Sequence, residues 1–79
     1  MSYRPFVEEL IKSVVAQPDA VEIEEEFEAG TRTFFVSVAS DDVGKVIGKS
    51  GRVVSAVRCV VSAVASKFRE RAYVKIVTE

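Results

Sequence analysis

The sequence predicts an α+β domain of order αββααβ, a mixed three-stranded sheet covered on one face by three helices. Three observations lead there. Apolar residues at helical spacing open the chain and recur over residues 52–68, and period-two alternation marks residues 21–28, 33–38 and 72–77. The last two of these strands are joined through a two-helix crossover, long enough for parallel pairing and expected to be right-handed. A length of 79 residues supplies one core at most, so the whole chain, 1–79, is read as a single domain.

The first helix is expected from Pro5 to about Ala16, where Phe6, Val7, Leu10, Ile11, Val14 and Val15 recur three and four residues apart and Pro5 suits the first turn. Pro18 and Asp19 break it. Val21, Ile23, Glu25 and Phe27 then alternate with Glu22, Glu24, Glu26 and Glu28 as a half-buried strand does, and Ala29-Gly30 marks the turn into a second strand carrying Phe34, Val36 and Val38 on one face. Ser40 is a good N-cap, and Asp41 and Asp42 suit the positive end of a short helix over Val43 to Ile47. Gly48-Lys49-Ser50-Gly51 interrupts the chain before a long helix running from Arg52 to about Phe68. Helical spacing there outranks the strand propensity of so many valines. VVSAVRC followed by VVSAVAS is a near-repeat of seven residues, too short for a coiled coil. In the last strand Ala72, Val74 and Ile76 alternate with Tyr73, Lys75 and Val77.

Composition removes most enzyme chemistry. The chain has no His, no Trp and one cysteine, Cys59, which excludes a disulfide framework, a Cys/His zinc site and a Ser-His-Asp triad within one chain. No enzymatic activity and no cofactor are expected. No apolar run reaches the ~18 residues of a membrane span, and the segment MSYRPFVEELIK carries acids where a signal peptide is apolar. A cytoplasmic protein with a reduced thiol and no membrane partner is the expectation. Charge is segregated: residues 1–42 hold three basic and ten acidic residues, whereas residues 43–79 hold eight basic residues against Glu70 and Glu79. A basic surface therefore belongs to the C-terminal part despite a net charge of -1.

The stretch VGKVIGKSGRVV, residues 43–54, carries the chemistry. Two glycines three apart, enclosing Lys49 and Ser50 and followed by Arg52, stand where one helix ends and the next begins. Residues without a Cβ permit the sharp turn and let a phosphate backbone approach the amides, and the start of the second helix attracts phosphate. Lys45 adds charge, while Val46, Ile47 and Val54 are read as lining an apolar groove for bases. A nucleotide-binding P-loop, G-x-x-x-x-G-K-[ST], fails by one residue: position 43, where its first glycine belongs, is valine.

VIGKSGR within αββααβ resembles a type II KH domain, and nearly the whole chain is similar to the small bacterial KhpA (YlqC-like) family. QPDAVEI, SDDVGKVIGKSGR and SAVRCVVSAVAS carry the likeness. The resemblance implies single-stranded RNA recognition, with Gly48, Lys49, Ser50 and Gly51 clamping the backbone of about four nucleotides beside an apolar groove. Val46 and Ile47 match the hydrophobic pair before the loop, and Val54 takes a position often held by isoleucine. The resemblance also implies self-association and pairing with a larger KH protein of the KhpB (Jag/EloR) type.

Phe6, Phe27, Phe34 and Phe68 fall on core-facing registers. Phe35 and Tyr73 fall out of phase, as a stacking platform of the RRM kind would, but TRTFFVSV lacks that module's glycine-aromatic pattern. On the long helix, Val53, Val57, Val61, Val64 and Phe68 form a stripe suited to the sheet. Ala56, Val60 and Ala63 widen it along one flank, next to Cys59 and Lys67, and suit a two-fold contact between helices unless the N-terminal helix covers them.

Overall fold

The computed structural model describes residues 3–77; Glu79 and the outer limits of the 1–79 domain lie outside them. Along the chain run α1 (Arg4–Lys12), β1 (Glu22–Glu28), β2 (Thr31–Ser37), α2 (Val43–Ile47), α3 (Arg52–Lys67) and β3 (Arg71–Ile76). The sheet has order β1-β2-β3, with β1 antiparallel and β3 parallel to the central strand. This is the mixed sheet and element order that periodicity predicts.

The turn between β1 and β2 is two residues long, since Glu28 pairs with Thr31. Ala29 and Gly30 both have positive φ, 52° and 78°. That handedness fits the right-handed twist of a two-residue hairpin.

Register assigns the faces. Ile23, Phe34, Val36, Ala72 and Val74 point to the helices and are buried together with Val7 and Ile11 of α1 and Val57, Val61 and Ala65 of α3. Glu22, Glu24, Glu26 and Glu28 stand on the opposite face, exposed. Phe35 and Tyr73 share that face; Tyr73 is 51% exposed, and the Lys75 ammonium lies 5.9 Å from the Phe35 ring.

Four sequence expectations change. Helix α1 ends at Lys12 rather than near Ala16, because Ser13 Oγ donates to the Leu10 carbonyl and the Ala16 and Gln17 amides donate to the Asp42 carboxylate, pulling the chain out of helical register. Ser40 opens a 3-10 turn without a side-chain cap, and Asp42 is fully buried instead of facing solvent at a helix end. The buried stripe of α3 is Val54, Val57, Val61 and Ala65, about one position round from the expected one, with Val53 and Val64 half-buried beside it. Of the four phenylalanines assigned to the core only Phe34 is buried: Phe6 is 39%, Phe27 54% and Phe68 44% exposed. On α1 the buried positions are Val7 and Ile11, leaving Phe6 round the side. Phe27 sits at the hairpin end under the Arg32 guanidinium, 4.5 Å from its ring centre, and Phe68, just beyond α3, stacks on Tyr3 at 5.2 Å.

That end of the molecule holds an inward-facing charge cluster. Arg32 lies on the helix side of β2 and pairs with Glu25 and with both oxygens of Glu70, at 2.6 and 3.3 Å, while Tyr3 Oη donates to Glu70 at 2.6 Å. Burial, reinforced by the bond to Glu70, pushes the Tyr3 phenol up to about 12. The Arg32 guanidinium and then the Tyr3 hydroxyl hold Glu70 below the usual carboxylate range. A Schellman turn leads α3 into this cluster: Arg69 N–H donates to Ser66 O, Glu70 N–H donates to Ala65 O, and Arg69 adopts φ 57°. Glycine is the usual residue there; arginine in that conformation costs about 1 kcal/mol.

Candidate nucleic-acid interface

The loop between α2 and α3 turns by way of left-handed backbone. Gly48, Ser50 and Gly51 have φ of 77°, 56° and 73°, three of four consecutive residues. At Gly48 a side chain is excluded twice over, since a Cβ there lies 2.4 Å from Val53 Cγ2 and 2.8 Å from the Val53 amide nitrogen.

This path aims amides outward. Gly48 N–H donates to Gly44 O and Gly51 N–H to Gly48 O, whereas among the described residues the amides of Lys49 and Ser50 have no acceptor. Both residues are exposed, and both N–H groups belong to the short 3-10 turn Lys49–Gly51 that feeds α3. Two unpaired amides and the Lys49 ammonium on one tight turn make an anion-binding concavity.

The predicted contact residues separate into distinct places. Gly48, Lys49, Ser50 and Gly51 form the turn itself. Ile47 is half-buried at its entry. Val46 is fully buried and Val54 is 7% exposed, so neither lines an open groove: α2 is a single five-residue stretch whose Val46 points inward, and Val54 joins the sheet-facing stripe of α3. Lys45 Nζ is 3.5 Å from Asp42 Oδ1, which draws it back towards the start of α2. Arg52 lies on the opposite flank, beside Leu10 of α1 and Val14 of the segment that follows it.

Sequence reasoning passed over two groups that hold this site. Asp42 receives the Ala16 and Gln17 amides at 3.1 and 3.0 Å, tying the segment after α1 to the base of α2. The Ala16 bond foremost, against the opposing effect of burial, holds its carboxyl below the usual range. The signal was a short run of acids before the loop, which also reads as helix-dipole chemistry. Arg58 Nε donates to the Val74 carbonyl at 3.0 Å, clasping α3 to β3.

Of the predicted self-association residues, Ala56, Cys59, Val60, Ala63 and Lys67 are all exposed. Leu10 of α1 and Val14 just beyond it border this flank without closing it. An apolar groove of about 320 Å³ remains, bordered by Val53, Ala56 and Val60, and Val60 is 41% exposed. No helix among the described residues is long and apolar enough to cross a membrane, and no cluster of three or more metal-ligating acidic, His or Cys side chains occurs among them.

The family profile described as KhpA/KhpB, KH domain, matches residues 4–76. The chain is 41% identical over 71 residues to the RNA-binding protein KhpA of Caldanaerobacter subterraneus subsp. tengcongensis, covering 90% of this chain and 95% of that one. It is 37% identical over 76 residues to the RNA-binding protein KhpA of Chlamydia pneumoniae (96% and 97% covered) and 38% identical over 74 residues to that of Clostridium acetobutylicum (94% and 99%). No solved structure gives a significant match. With the αββααβ order, the mixed sheet and a profile match over nearly its full length, the chain belongs to the KhpA/KhpB family of KH domains.

Proposed function

We propose that this chain is a non-enzymatic RNA-binding protein of the cytoplasm that holds unpaired RNA at the Gly48–Gly51 loop. The observation that carries this reading is the pair of unpartnered amides, at Lys49 and Ser50, presented beside a lysine on a turn whose Gly48 admits no side chain. Phosphate oxygens are acceptors only, and such a turn offers donors and positive charge with nothing in the way. Ile47 at the loop's entry supplies apolar surface for a base.

Titration of single-stranded RNA at several salt concentrations tests it. Affinity falls with salt, with a slope of log K against log[salt] of roughly −2 to −4 at about 0.7 per phosphate contact. Duplex RNA binds more weakly because its bases are paired and its phosphates are set in a rigid A-form. A salt-independent affinity, or equal binding of duplex, contradicts the reading.

The apolar groove beside Val60 supports a second activity on the same chain. We assign the α3 flank of Ala56, Cys59, Val60, Ala63 and Lys67 to association, with a second copy or with a larger KH protein of the KhpB type. Small side chains around one exposed valine let two helices approach closely, and a two-fold axis sets the patch against itself. Val60→Asp, at a position already 41% exposed, gives a folded monomer, because at such a contact each carboxylate would face its own copy. Light scattering that finds the unmodified chain monomeric at tens of micromolar refutes the homodimer.

A further inference from the structure

We propose that the open face of the sheet, opposite the helices, is a self-association surface on which a second copy of this chain stacks with its β3 over β1.

The face is polarised across its strands. Pairing aligns Glu24 with Phe35 and Lys75, Glu26 with Thr33 and Tyr73, and Glu28 with Thr31 and Arg71. Each rung therefore runs from an acid on β1, through an uncharged residue on β2, to a cation or a tyrosine on β3. Glu22 extends the acidic strip to four carboxylates. These glutamates are exposed, as are Arg71, Tyr73 and Lys75. Among the described residues no ion pair engages any of the four glutamates or either cation. The two charged strips stand two strands apart, about 10 Å, which is a full screening length at ordinary salt, so they do not neutralise each other within one chain. Between and beside them lies uncovered apolar surface: Phe35 is half-buried, Tyr73 is 51% and Val77 41% exposed.

A second copy is the occupant that answers both strips at once. Nucleic acid is repelled by the carboxylates, and a purely basic protein surface leaves Arg71 and Lys75 unmatched. Sheets stacked face to face lie about 10 Å apart with their strands nearly aligned, which allows two kinds of two-fold axis. An axis across the strands sets β1 on β1, glutamate against glutamate. An axis along β2 sets β1 of each copy over β3 of the other, with the rungs in step. Glu24 then meets Lys75 of the second copy, Glu28 meets its Arg71, Glu26 is offered its Tyr73 hydroxyl, and the two Phe35 rings face each other at the axis. Charge selects this second arrangement. A strand of seven residues in a sheet of three makes a face of about 24 by 14 Å, so the contact buries roughly 700 Å² over both copies. That falls short of the ~1,200 Å² of a stable interface and makes this a weak contact, formed at on the order of hundreds of micromolar. The helix layer lies on the other side of the sheet, so stacking leaves the glycine turn and the α3 flank uncovered.

The test is sedimentation equilibrium of the Val60→Asp chain, which sets aside any contact through α3, up to about 1 mM in low salt. Its mass rises towards that of a dimer in the upper part of this range and falls back in about 0.5 M salt. The unmodified chain is run in parallel, where the same contact appears as a further doubling of mass. Glu24→Lys and Lys75→Glu, each introduced alone, set like charges opposite one another at two symmetric places and weaken association by on the order of tenfold. Mixing the two variants restores it, because each then meets its opposite, which two misfolded chains would not do. A chain that stays monomeric throughout overturns the proposal and leaves the face to a partner of another kind. Association that neither reversal weakens, or that the mixture fails to restore, overturns it as well. Stronger association on Glu24→Lys overturns it in favour of β1 on β1.

Discussion

Replacing Lys49 and Ser50 together by aspartate abolishes measurable single-stranded RNA binding, an expected loss on the order of a hundredfold or more, while the fold survives. Both side chains are exposed and neither takes part in the core, so no packing is lost. What changes is the field at the two open amides: one positive charge is removed and two negative charges are set where phosphate oxygens would rest. Ser50 tolerates the exchange because aspartate is among the residues that enter left-handed backbone most readily. Thermal melting is measured beside binding. A folded double variant that keeps its affinity would sink the KH-type mechanism and leave the α3 flank, with its protein partners, as the working surface of a chain with little RNA affinity of its own.

The second large effect is on stability and centres on Asp42. Asp42→Ala leaves the Ala16 and Gln17 amides without their acceptor and opens a void at a fully buried position, and the melting temperature drops by on the order of 10 °C. Asp42→Asn retains one acceptor oxygen but turns an amide donor towards a donor, and falls between. The same carboxylate sets a pH dependence. Asp42 and Glu70 both bind protons less readily in the folded chain than in the unfolded one, so acid favours unfolding. The stability these two carboxylates add is present in full above the unfolded-chain carboxylate range, about 4 to 4.5, and is lost as pH falls through their lower folded-state values. Melts recorded from neutral to acidic pH should show that limb, and Asp42→Asn should make it shallower. An Asp42→Asn variant with an unaltered acid limb would show that the carboxylate contributes nothing to the linkage.

Most of the fold was legible because it is written in short-range patterns. Ile23, Phe34, Val36 and Val74 alternate as strand residues do, Ala29-Gly30 names its own turn, and the two-helix crossover leaves parallel pairing as the natural outcome. The glycine loop was legible for the same reason: glycines three apart around a lysine report local backbone need. What escaped depends on partners distant in sequence. Arg32 reads as one more surface charge until Glu70, 38 residues on, arrives beside it. Asp42 reads as a helix-start acid until the chain after α1 lays its amides on it. Val46 and Val54 stand at the right places for a groove, but which side of α3 meets the sheet is settled by how α1 and α2 share its surface, and helical periodicity alone fixes that direction only to within about one residue. Phe27 and Phe68 keep the correct phase and miss the core because each lies at an element's end, beyond the cover of the opposite layer.

The bond from Tyr3 to Glu70 joins residues 67 positions apart. A contact of that span forms only after nearly the whole chain has been drawn into a loop, whereas the β1–β2 hairpin closes through two residues and gains its contacts at once. Loop-closure entropy therefore predicts that this contact forms late, after the barrier has been crossed. Tyr3→Phe should then leave the folding rate nearly untouched and speed unfolding. A Tyr3→Phe variant that folds more slowly instead would place this seam, at the far end of α3 from the glycine turn, among the contacts made before the barrier.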